Sequence, residues 1–105
     1  MATAGVVGKG QTTTSNANED VLSGIDLSRM DITTIAVRVR STSAAACIVR
    51  IPELHGDTAN AGAYLPAGTT EYFRVSNGGV NSMFVSGDGG TATIDWYATA
   101  KTNMR

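Results

Sequence analysis

Residues 32–51 read ITTIAVRVRSTSAAACIVRI, and the period of their apolar side chains decides the fold. Ile35, Val37 and Val39 fall on one side of an extended chain and Arg38 and Arg40 on the other. The pattern repeats with Cys47, Val49 and Ile51 set against Ile48 and Arg50. A period of two belongs to a strand with one buried face, whereas a helix repeats its apolar side chains three and four apart. Joining the runs through Thr42-Ser43-Ala44 predicts a hairpin that sets Val39 opposite Cys47, Val37 opposite Val49 and Ile35 opposite Ile51. That register gathers Arg38, Arg40 and Arg50 on the wet face, and Pro52 ends the second run or marks an edge.

Further along, TTEYFRVS (69–76), VNSMFVS (80–86) and TATIDWYATA (91–100) read as three more strands. Asp88-Gly89 predicts a two-residue type I′ turn that pairs Val85 with Ala92, Met83 with Ile94 and Asn81 with Trp96. Asn77-Gly78-Gly79, taken as a three-residue loop with a glycine bulge, pairs Phe73 with Met83. Phe73, Met83, Val85, Ala92, Ile94 and Trp96 then share the inner side. The outer side carries Tyr72, Val80, Phe84 and Tyr97 among Arg74, Ser82, Thr93 and Asp95. So much apolar surface on a wet face calls for a cover. Either the N-terminal segment folds over it or a partner does; otherwise the register is one residue out and the two faces exchange. DVLSGIDLS (20–28) holds Val21, Ile25 and Leu27 in one parity, as a strand needs, and Ser28 to Asp31 has capping-box spacing for one helical turn. HGDTANAGA (55–63) is a loop by composition.

Residues 1–19, MATAGVVGKGQTTTSNANE, carry only Val6 and Val7 as sizeable apolar groups. Such a stretch cannot offset its ordering entropy by burial of its own. The expected organisation is therefore a polar extended arm over 1–19 and a β-sandwich domain over 20–105. The arm is tied down by a neighbouring subunit or by the domain's own surface. At 105 residues the chain has room for one core. Charged residues make up 16% of it, below the roughly 25% usual in globular proteins. A surface of Thr, Ser, Asn, Ala and Gly desolvates cheaply, which suits lasting contact with another protein and is equally the composition of a plain soluble β-domain.

The residues supply no constellation for catalysis. His55 is the only histidine, in a Gly/Asp/Asn loop with no serine singled out by spacing, and Cys47 is the only cysteine, at an inward strand position. Ser86-Gly87-Asp88-Gly89-Gly90 lacks both the alternating carboxylates of a calcium loop and the lysine and helix of a phosphate loop. No metal or cofactor is expected. With net charge −1, and three arginines without stacking aromatics, the chain shows no footprint for specific nucleic-acid binding. The arginines read instead as partners for acidic residues of a neighbouring protein. No stretch approaches the roughly 20 apolar residues of a membrane span, and no basic-then-apolar leader opens the chain, so synthesis in the cytoplasm is expected.

A Thr/Asn-rich N-terminal segment, ITTIAVRVRS, LPAGTTEYFRV (65–75) and the ending GGTATIDWYATAK (89–101) together resemble the small β-sandwich accessory proteins of tailed bacteriophages. These include the cement and decoration proteins that clamp capsid subunits, and short tail or fibre modules. The resemblance implies a small antiparallel, jelly-roll-like sandwich in the virion. It would be self-associated and bound to the major capsid protein or other virion subunits. The contacts expected on this reading are Val6, Val7, Thr12, Thr13 and Thr14 of the arm, with Arg38, Arg40, Arg50, Tyr72, Arg74, Val80, Phe84 and Tyr97 of the domain. Two other classes stand beside it: a carbohydrate-binding or adhesin module stacking sugars on Tyr72 and Tyr97, and, last, a small hydrolase using His55.

Overall fold

The computed structural model describes residues 3–14, 17–26, 30–59, 61–75 and 79–102, without the side chains of Thr3, Ala4, Val6, Met30 and Thr102. The alternating runs do become strands, and the protein is a small all-β sandwich of two antiparallel four-stranded sheets. In chain order the elements are β1 (Thr3–Thr13), β2 (Glu19–Asp20), β3 (Met30–Val39), β4 (Cys47–Arg50), the single helical turn α1 (Pro52–His55), β5 (Ala63–Leu65), β6 (Thr70–Arg74), β7 (Phe84–Gly87) and β8 (Ala92–Thr102). One sheet runs β1-β8-β3-β6 and the other β2-β7-β4-β5.

Parity read from the sequence names the core. Ile35, Val37 and Val39 of the first sheet and Cys47, Val49 and Ile51 of the second are fully buried. Phe73, Met83, Val85, Ala92, Ile94 and Trp96 join them between the sheets. Each valine or isoleucine buried this way contributes about 1.5–3 kcal/mol. A charge at Val37 would cost several times that, so the inner layer fixes which face of each strand turns inward.

The pairing differs from the expected hairpins. β3 pairs with β6 and β8, while β4 pairs with β5 and β7, so the Ile35–Val39 and Cys47–Ile51 runs lie in opposite sheets and face each other across the core. The link between them crosses the sandwich edge, held by the Ser43 hydroxyl, which accepts from Thr93 N–H at 3.0 Å. The expected Asp88-Gly89 hairpin is likewise a crossing, from β7 to β8 in the other sheet. Gly89 keeps the left-handed backbone, at φ 73°, that the dipeptide advertises. Turn chemistry sets local backbone angles, but which strands pair is settled by the core they jointly fill. The expected strand over 20–28 is not found in its described part: after the two residues of β2 the chain turns over 21–25, with Leu22 buried instead of the opposite parity and Ile25 N–H bonded to Leu22 C=O at 3.0 Å, while Leu27 and Ser28 lie outside the described residues. Of the expected helical turn over 28–31, Ser28 and Arg29 lie outside the described residues, and Met30 and Asp31 begin β3.

The described part of the expected polar arm over 1–19 is tied to the domain's own sheet. Thr3–Thr13 is β1, an edge strand paired along its length with β8, from Thr3 opposite Lys101 to Thr13 opposite Ala92. The strand is held by backbone pairing and by two glycines on which β8 aromatics rest, so it needs little apolar side-chain burial of its own. Gly5 lies under the Tyr97 ring and Gly8 against the Trp96 indole, each so close that a Cβ would collide. A bulge between Gly8 and Gln11, with Gly10 at φ 63°, then bends the strand toward the second sheet. There the Thr13 hydroxyl donates to Val85 C=O at 3.1 Å, and Gly87 N–H donates to Thr14 C=O at 2.9 Å.

Candidate binding face

The outer side of the β1-β8-β3-β6 sheet is where residues of the expected interface converge. Register places Val7 opposite Tyr97, Tyr97 opposite Ala36, and Ala36 opposite Tyr72. One apolar rung therefore runs across all four strands. Tyr72 is 72% exposed, Val7 52% and Tyr97 50%. Leu54 on α1 and Tyr64 on β5 are the other large apolar side chains exposed among the described residues, and neither lies on this rung.

Next to the rung sits an ion cluster. Asp95, one step along β8, accepts from Arg38 Nη2 at 2.8 Å, from Arg40 Nε at 2.9 Å and Nη2 at 2.8 Å, and from Gly10 N–H at 2.9 Å. These donors hold the Asp95 carboxyl well below the usual carboxylate range, first through the Arg40 hydrogen bond and then through Arg38 and Gly10. The same pairing raises Arg40 further. Arg38 and Arg40 thus already share an acid of the chain's own sheet. Between Tyr97, Ala36, Lys9, Arg38 and Arg40 the face dips into an open depression of about 440 Å³. On the other side of the rung Thr34 lies opposite both Thr99 and the exposed Arg74.

The remaining expected contacts fall elsewhere. Thr12 and Thr14 are exposed on the path toward the second sheet, whereas Thr13 is buried by its bond to Val85. The Val6 side chain lies outside the described residues. Val80, expected on the outer patch, is buried beside Ile32, with its N–H bonded to Ile32 C=O at 2.7 Å. Arg50 is far from Arg38 and Arg40 in the fold, on the second sheet, and is only 6% exposed. Its guanidinium lies 4.2 Å from the centre of the half-buried Phe84 ring, and it donates to Gly56 C=O and to Asn18 Oδ1, each at 3.2 Å. Arg50 and Phe84 therefore hold each other within the molecule, and both leave the expected interface. A wrong partner strand explains Arg50 and Phe84, since β4 and β7 belong to the second sheet, whereas Val80 is bridged to β3 of the first and buried.

Sequence reasoning missed Asp95, Ala36, Gly5 and Gly8. Asp95 is the one acid at an outward position of 91–100, in the same parity as Tyr97, and that signal pointed to the arginines of a neighbouring strand. Gly5 and Gly8 in a polar segment offered no sign of the rings that cover them. Elsewhere, Cys47 is buried and burial pushes its thiol up to about 11. His55 accepts the Ile51 N–H through Nδ1 at 3.0 Å and meets Phe73 edge-on, and burial lowers its pKa. No protein-family model matches the chain, and a search of curated proteins finds no match to its sequence.

Proposed function

We propose that the chain is a structural subunit of a virion, a cement or decoration protein that stabilises a phage shell by laying the outer face of the β1-β8-β3-β6 sheet on the major capsid protein or another virion subunit. The observation that carries this reading is the exposed Val7–Tyr97–Ala36–Tyr72 rung on an otherwise polar face. Aromatic side chains with a polar tip are what protein interfaces favour at their centre, and the Thr and Arg residues around the rung suit the wetter rim. The strand orders β1-β8-β3-β6 and β2-β7-β4-β5 support it as well, because we read them as a jelly roll, an architecture used by capsid and lectin domains. On a symmetric shell many such contacts add up, so each one needs only modest strength.

The test is to mix the purified chain with empty shells assembled from the major capsid protein encoded with it. Co-sedimentation at a fixed ratio to shell subunits supports the reading, and a chain that stays in the supernatant defeats it. A second reading rests on the depression beside Tyr97, where an aromatic ring meets Arg38, Arg40 and Asp95 as in many sugar-binding clefts. It makes the chain a carbohydrate-binding module of a tail or fibre. Binding on a glycan array that disappears in Tyr97→Ala would favour it over shell attachment.

A further inference from the structure

We propose that the open edge of β1 is a self-association site, where a second copy of this chain adds its own β1 antiparallel and makes the two four-stranded sheets continuous. The four sheet edges are not alike. β2, β5 and β6 are two, three and five residues long, and β6 carries Glu71 and Arg74. β1 is eleven residues long, TAGVVGKGQTT, with Lys9 as its one charge and no proline. Short, charged or proline-bearing edges are how proteins avoid joining sheet to sheet, and β1 has only its bulge. That bulge, with Gly10 N–H already given to Asp95, ends the regular stretch at Gly8. Thr3–Gly8 remains as a straight template whose open side has no partner among the described residues.

The stretch is also held in shape. The Tyr97 ring rests on Gly5 from the outer side and the Trp96 indole on Gly8 from the inner side, so the edge is clamped before anything binds it. Only an extended segment can complete such an edge. Its side chains must suit a ring that overhangs Gly5 and an apolar Val7 left half open at the end of the rung. β1 itself has that pattern. In an antiparallel pair with Val6 on the two-fold axis, Gly5 lies opposite Val7 of the second copy. That valine then meets the Tyr97 ring over Gly5, and symmetry repeats the contact on the other side. The apolar rung would then run on from one sheet into the next. With a net charge of −1 per chain, two copies repel each other little.

This inference holds whatever covers the outer face. The contact is short, so the dimer should form with a Kd on the order of 1–100 µM. Sedimentation equilibrium of the full chain is expected to show a mass rising from 10.8 kDa toward twice that value across this range. Val7→Lys puts a like charge beside each copy of the axis at an exposed position. It should weaken the dimer at least tenfold, with the thermal midpoint unchanged at concentrations where the wild-type chain is monomeric, while Tyr72→Lys at the far edge leaves the dimer intact. Amide exchange of wild-type β1 should slow as concentration rises. A chain that stays at 10.8 kDa throughout overturns the proposal, as does a dimer indifferent to Val7→Lys or one lost in Tyr72→Lys.

Discussion

If the proposed attachment is right, replacing Tyr72 and Tyr97 together by serine should weaken binding to shells about 100-fold and cost the free domain far less, the stability cost coming from the Tyr97 ring on Gly5. The two side chains are 72% and 50% exposed, so the free molecule gains little from Tyr72 and, from Tyr97, chiefly the contact with Gly5. Taking about 200 Å² as the full surface of a tyrosine side chain, a partner that covers both removes roughly 240 Å² from water. At about 25 cal/mol per Å² this is worth about 6 kcal/mol before the cost of ordering the rings. If half survives as affinity, the double variant loses about 3 kcal/mol, or roughly 100-fold in Kd. Binding to assembled shells by sedimentation gives the affinity, and thermal unfolding of the free chain gives the stability. A midpoint that falls in step with affinity would mean that the rings belong to the fold, and unchanged affinity would mean that the partner sits elsewhere.

Other parts of the structure can be probed in the free chain. Gly8→Ala drives a Cβ into the Trp96 indole and should cost about 1–3 kcal/mol in chemical denaturation, because β1 must lift or the ring must move. Arg50→Ala removes a buried stem and a guanidinium stacked on Phe84, and should cost about 2–3 kcal/mol, whereas Arg50→Met, which refills most of the volume, should cost less than half as much. The Asp95 carboxyl is depressed in the folded state, so its contribution is present above the unfolded value near pH 4 and fades as pH falls below it. Asp95→Asn should therefore lower the thermal midpoint at pH 7 and flatten its decline between about pH 4 and pH 2. A variant with the wild-type acid profile would show that the Arg38–Asp95–Arg40 cluster adds nothing.

What the sequence revealed was the face of each strand, and what it hid was the neighbour. Ile35, Val37, Val39, Cys47, Val49, Ile51, Met83, Val85, Ile94 and Trp96 all point inward as their parity requires, since burial acts on each strand separately. Pairing is a property of the whole core, and the short links Thr42-Ser43-Ala44 and Asp88-Gly89 serve a crossing between sheets as well as they would a hairpin. Tyr72 and Tyr97 were found on the exposed face because β6 and β8 belong to the same sheet, with β3 between them. Phe84 was lost from it because β7 belongs to the other sheet, and Val80 because it is buried against Ile32 at the start of β3. The N-terminal segment misled for a different reason. Its glycines look like flexibility in a list of residues, yet Gly5 and Gly8 are the places where two aromatic rings of β8 seat the strand.

The most direct measurement is hydroxyl-radical footprinting of the chain free and mixed with assembled shells, read by mass spectrometry at the exposed tyrosines. Tyr64, 58% exposed on the opposite sheet, serves as the internal reference. Attachment through the β1-β8-β3-β6 face predicts that Tyr72 and Tyr97 become protected on binding while Tyr64 is labelled as before. Protection of Tyr64 with Tyr72 and Tyr97 still reactive would contradict the account.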